Sequence, residues 1–223
     1  IRGRDSVAVR TLLDEGKRHH QAGRLSEAER SYQLAIEMAP GHPEALHLLG
    51  LLAYRVNRFE QAIELISQAI EGAPTNPLYQ FNLGVVTQRA GKKEEAVRAY
   101  ERAIGLNPTY VEALINLGNV FKDLGRIDEA VDVYGKALAL NPGHADTHNN
   151  LGVALKERGK LADAISAYRN ALRLKPTHVE ALNNLGLALM ETGAVDEAIS
   201  SFERARAVQP SYGKALYNLG MAW

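Results

Sequence analysis

Apolar residues recur at helical spacing along most of the chain. In residues 111–144, Leu114, Leu117, Val120, Phe121 and Leu124 form one such run, and Ile127, Ala130, Val131, Tyr134, Ala137 and Leu138 form a second. The spacing predicts two helices. Gly125-Arg126 separates them, and Gly23-Arg24, Gly91-Lys92 and Gly159-Lys160 repeat the break, with Asn57 standing in once. A residue that tolerates positive φ ends a helix there. Asn76-Pro77 predicts a capped helix start, and Ser26 with Glu29 reads as a capping box.

The pattern returns every 34 residues. Pro40, Pro74, Pro108, Pro142, Pro176 and Pro210 keep that interval, as do Gly16, Gly50, Gly84, Gly118, Gly152, Gly186 and Gly220. Two alanine columns run beside them, one from Ala28 to Ala198 and one from Ala35 to Ala205. Small residues let helices approach closely. Four positions after the first alanine comes a bulky column, Tyr32, Ile66, Tyr100, Tyr134, Tyr168 and Phe202, placed to fill the space the alanines leave.

This signature of Leu-Gly, an aromatic, Ala, a second aromatic and Pro resembles the tetratricopeptide repeat. The resemblance implies an all-α, right-handed superhelical solenoid of stacked antiparallel helix pairs. First helices line a concave groove in that fold. The expected repeats are 9–42, 43–76, 77–110, 111–144, 145–178 and 179–212, with a final single helix at 213–223, thirteen helices in one domain. Ala53, Thr87, Leu155 and Leu189 replace the first-helix aromatic.

The two ends differ. Glu15 stands where later repeats carry Leu, and His19 where the repeat signature places an aromatic, which suits an edge that no earlier repeat covers. Leu216, Leu219 and Trp223 give the last helix an apolar face without a second helix, so self-association through that edge, or truncation, is expected. The sequence opens on Ile1 rather than Met, which fits a processed chain or part of a longer one.

Charge narrows the partners. Twenty-six basic residues balance 26 acidic ones, so neither nucleic acid nor an anionic membrane is expected to bind. No cysteine is present. The longest apolar run, Leu48 to Tyr54, is interrupted by Gly50 and is too short to span a bilayer. Nothing in the sequence fixes localisation, and a cytoplasmic setting is favoured. No phosphate loop, nucleophile elbow or His-Glu-x-x-His occurs, so no catalytic residue, metal or cofactor is expected. His144 and His148 read as a solvated pair; His42, His144 and His178 share one loop column. None receives a role.

The candidate site is the groove. Early repeats place Leu48, Leu51, Tyr54, Phe81 and Val85 on it; later ones place Asn82, Asn116, Asn119, Asn149, Asn150, Asn183, Asn184 and Asn218 there. Asn is a mediocre helix former, so its recurrence before Leu-Gly calls for a reward. An amide offers donors and an acceptor to a peptide backbone. Bonding between helices, or inheritance by duplication, would also account for it. The ladder resembles that of the tetratricopeptide arm of O-linked N-acetylglucosamine transferases, which implies capture of extended peptide, with a catalytic domain beyond residue 223 conceivable. The carboxylate clamp of other family members is disfavoured, because Glu44, Glu112, Asp146 and Glu180 occupy the corresponding positions. The expected function is therefore a scaffold for an extended polypeptide; the alternative is a structural or self-assembling module with no peptide ligand.

Overall fold

The structure, a computed structural model, describes residues 2–222, with side chains from Val7 onward. Trp223, expected on the apolar edge, lies outside the described residues. Thirteen helices and no strand occur among them, giving the all-α solenoid of antiparallel pairs that the period predicts.

The chain divides into two compact units, with the division between Ala113 and Leu114. The first unit holds α1 (Arg2–Gln21), α2 (Leu25–Met38), α3 (Pro43–Arg55), α4 (Phe59–Gly72), α5 (Pro77–Arg89) and α6 (Lys93–Leu106). The division falls inside α7 (Val111–Asp123). Most of α7 belongs to the second unit, with α8 (Ile127–Leu140), α9 (Ala145–Glu157), α10 (Leu161–Leu174), α11 (Val179–Glu191), α12 (Val195–Val208) and α13 (Gly213–Ala222).

Within each pair the turn is the expected one. Asn57 takes φ 61° and Gly125 φ 73°, and the amide of Arg126 reaches back to the carbonyl of Phe121 at 2.8 Å, closing the end of α7. A consequence is that the second helix starts at once. Its N-cap is Arg24, Arg58, Lys92, Arg126, Lys160 or Ala194, and none of them makes a side-chain cap. The capping box expected at Ser26 and Glu29 does not form, because α2 already begins at Leu25 and Ser26 lies inside the first turn.

Four first helices, α3, α5, α9 and α11, carry side-chain caps, three of them from histidines to which the sequence assigned no role. Asn76 accepts from the amide of Leu78 at 3.0 Å as expected, but His42, His144 and His178 cap their helices too. Their Nδ1 atoms accept from Ala45, Thr147 and Ala181 at 3.3, 3.2 and 3.4 Å. The histidine column after the proline is a column of N-caps.

The core is built by the small and bulky columns. The first alanine column is fully buried throughout, and Tyr32, Tyr100, Tyr134 and Phe202 are equally inaccessible. Each ring lies against the glycine 16 positions earlier in the chain. A Cβ on Gly84, Gly118, Gly152 or Gly186 would stand 2.5–2.6 Å from the ring of Tyr100, Tyr134, Tyr168 or Phe202. Gly50 does the same with Ile66 at 2.7 Å. Gly220 has nothing within 4 Å.

Candidate functional site

In the second unit the Asn side chains project from consecutive first helices, and they meet one another. Nδ2 of Asn150 on α9 donates to Oδ1 of Asn119 on α7 at 3.1 Å. Nδ2 of Asn184 on α11 donates to Oδ1 of Asn149 at 3.0 Å, and Nδ2 of Asn218 on α13 donates to Oδ1 of Asn183 at 2.8 Å. The amides stitch neighbouring first helices together. Asn149 and Asn183 are buried, whereas Asn116, Asn119, Asn150, Asn184 and Asn218 are half-buried. In each of the doublets Asn149-Asn150 and Asn183-Asn184, the first residue accepts from the following helix and the second donates to the preceding one. The doublet is thus a two-sided link.

The bonds leave capacity. An amide carries two N–H donors and two lone pairs, and Asn184 and Asn218 each commit one donor while their Oδ1 atoms accept nothing among the described residues. Asn116 makes no side-chain hydrogen bond among the described residues. Asn119 is saturated as an acceptor, since the hydroxyl of Tyr134 donates to the same Oδ1 at 2.6 Å. Burial pushes the Tyr134 pKa up, so the phenol remains a donor at ordinary pH.

In the first unit the corresponding face is mostly apolar. Tyr54 and Phe81 are half-buried, with the Phe81 ring centroid 4.9 Å from that of Tyr110 and 5.9 Å from that of Tyr100. Asn82 donates through Nδ2 to Nε2 of His47 on α3 at 2.7 Å, the same helix-to-helix link with an imidazole as acceptor. His47 is 5% exposed and stacks on Tyr79 at 4.3 Å. Burial lowers its pKa to about 4, against the opposing pull of Glu44, so the ring is neutral and its proton sits on Nδ1.

Three of the four acidic positions that argued against a carboxylate clamp are engaged. Glu44 takes the ammonium of Lys17 at 2.6 Å, and Asp146 and Glu180 flank the buried His178 at 2.9 and 3.3 Å. His148 turns its Nε2 to the carbonyl of Pro142 at 3.0 Å while His144 caps α9, so the two rings serve separate local contacts. Among the described residues no helix is long and apolar enough to cross a membrane.

Sequence reasoning found the Asn column and gave bonding between helices as the alternative to ligand capture, without naming the partners. The available signal was the doublet: a period of 34 and a partner 35 residues away require two adjacent polar residues in the same helix.

Consecutive antiparallel helix pairs within each unit, with amides linking the first helices of the second, define a helical-repeat fold. One tetratricopeptide repeat model matches residues 13–77 and 149–207, and a second model for the same repeat matches 89–125 and 118–158. The chain belongs to the tetratricopeptide repeat family. A crystal structure of MamA is 25% identical, with a TM-score of 0.71 over 76% of this chain and 93% of that one. YrrB, described as a tetratricopeptide repeat protein with an unusual peptide-binding site, is 22% identical, with a TM-score of 0.72 over 83% of this chain and 96% of its own. PilF of Pseudomonas aeruginosa aligns over 97% of this chain and 99% of its own, at 18% identity and a TM-score of 0.80. The last two likenesses concern the fold alone. No curated protein matches the sequence.

Proposed function

We propose that the chain is an interaction scaffold that captures an extended polypeptide on the first-helix face of the second unit, through the amides of Asn116, Asn119, Asn150, Asn184 and Asn218. The single observation behind this reading is the fixed orientation of the ladder. Asn150, Asn184 and Asn218 each spend one N–H on the preceding first helix, which immobilises the amide and leaves Oδ1 of Asn184 and Asn218 to accept from a ligand's backbone. Preorganised polar groups bind with less entropy loss than free ones. Asn149 and Asn183 serve as supports, since both are buried and bonded to the next helix. In the first unit Tyr54 and Phe81 offer an apolar counterpart, suited to side chains rather than backbone, beside the amide of Asn82.

Recognition of this kind tolerates many ligand sequences. A titration with an uncharged extended peptide of mixed small residues, followed by amide chemical shifts of the Asn side chains, tests it. Shifts at Asn116 and Asn184 are expected; saturation without any shift along the ladder defeats the reading. As the recruiting arm of a larger transferase the chain would use the same face, and the reading frame downstream of Trp223 tests that role.

A second reading, self-association, rests on α13. Leu216, Tyr217 and Met221 are 44%, 69% and 67% exposed, whereas Leu219, expected on the same apolar edge, is buried in the core of the second unit; Gly220 meets no ring of the kind every earlier glycine in its column meets except Gly50, which meets Ile66. Sedimentation at increasing concentration tests it.

A further inference from the structure

The grooves between consecutive second helices lie away from the amide ladder, and one of them is distinctive. Between α10 and α12, above α11, an open groove of about 360 Å³ is walled by Arg169, Arg173 and Arg204 and closed beneath by Leu185 and Leu189. Its single acidic wall residue is Glu197, which takes the Arg169 guanidinium at 2.9 Å. Arg173 has only a 3.5 Å contact with Oδ1 of Asn170, and Arg204 makes no hydrogen bond or ion pair among the described residues. Three guanidiniums face one carboxylate, an excess of two positive charges in a chain whose net charge is zero.

Repeat duplication does not produce this cluster. The groove at the same register of the first unit, between α4 and α6, measures about 170 Å³ and carries Arg98, Arg102 and Glu95. There Ser67 stands at the register of Arg169, and Glu71 at that of Arg173. The charge is therefore particular to the α10–α12 groove. Exposed arginines cost little to keep on a surface, but three gathered around a concavity repel one another and gain from an anion that bridges them.

We propose that this groove is a second docking site, for an acidic peptide segment that lays carboxylates on Arg173 and Arg204 and an aliphatic side chain over Leu185 and Leu189. The occupant follows from the lining. An apolar floor under a cationic rim fits an amphipathic acidic segment better than an isolated small anion, and forked guanidiniums match carboxylates in pairs.

The test is fluorescence anisotropy with a labelled peptide of glutamate and aspartate carrying leucine at every third position. The intact chain should bind it, and the variant R173E/R204E should weaken binding at least about tenfold, because both guanidiniums are lost and two carboxylates replace them. R98E/R102E, in the first-unit groove, should leave binding unchanged, and circular dichroism of both variants should match the parent because all four side chains are exposed. Equal loss in the two variants would show diffuse charge attraction and overturn the site. Displacement of the probe by an excess of uncharged extended peptide would place it on the amide ladder instead and overturn it as well. Absence of binding at low salt does the same.

Discussion

A Cβ placed on Gly118 of α7 would stand 2.5 Å from Cε1 of Tyr134 on α8. The ring occupies the space that a side chain at 118 would need, so the two helices can pack at this distance only with glycine there. Gly118→Leu should destabilise the protein by about 1–3 kcal/mol through overpacking. Gly220→Leu, where nothing lies within 4 Å, should leave stability within about 0.5 kcal/mol or raise it slightly. Urea unfolding of both variants checks the contrast, and equal losses would refute the register.

The ladder predicts a split between stability and binding. Asn184→Ala removes the donor to buried Asn149 and should cost about 1–2 kcal/mol of stability, because a buried acceptor is left unpaired. Asn116→Ala removes no bond among the described residues and should stabilise the helix by a few tenths of a kcal/mol. Replacing Asn116, Asn150 and Asn184 together should weaken capture of an uncharged extended peptide by about 2–4 kcal/mol, at roughly 1 kcal/mol for each bond. Calorimetric titration and thermal melts of the same variants separate the two effects. Undiminished peptide affinity in the triple variant would leave the ladder a purely structural device.

Caps give a second internal control. Asn76→Ala should cost about 1 kcal/mol, since Oδ1 of Asn76 satisfies the amide of Leu78. Ser26→Ala should fall within about 0.5 kcal/mol, because Ser26 caps nothing. Denaturant midpoints of the two variants report the difference directly.

Acid should loosen the first unit through His47. Its pKa is about 4 in the folded chain against 6.5 for the free side chain, so the unfolded chain binds the proton more tightly between those values. Stability therefore falls as pH drops from about 6.5 towards 4, by up to about 2–3 kcal/mol. The neutral substitute His47→Asn should flatten this part of the profile. Melting temperatures of both proteins across that window test it; parallel curves would mean that other groups carry the acid response.

The apolar surface of α13 predicts association. Replacing Leu216 and Met221 by Lys should abolish any concentration dependence of the sedimentation coefficient without altering helicity. A parent chain that stays monomeric at high concentration would remove the self-assembly reading.

The period of 34 determined the helices, their pairing and the Gly-to-ring contacts, because these follow from local spacing: small residues, bulky residues and breaks each recur where a helix pair needs them. What the spacing did not contain is where each polar side chain spends its hydrogen bonds. Asn183 is an exposed groove residue by position but is 3% exposed and bonded to Asn218, and His178 is a loop residue by position but caps α11. Those outcomes depend on the distance and rotation between helices separated by a whole repeat. The same holds for Arg169, Arg173 and Arg204, three unremarkable surface arginines in the sequence that only the stacking of α10 against α12 gathers around one groove. A helix's own register is written in its residues, whereas a contact between helices is decided by packing, which positions side chains from distant parts of the chain at once.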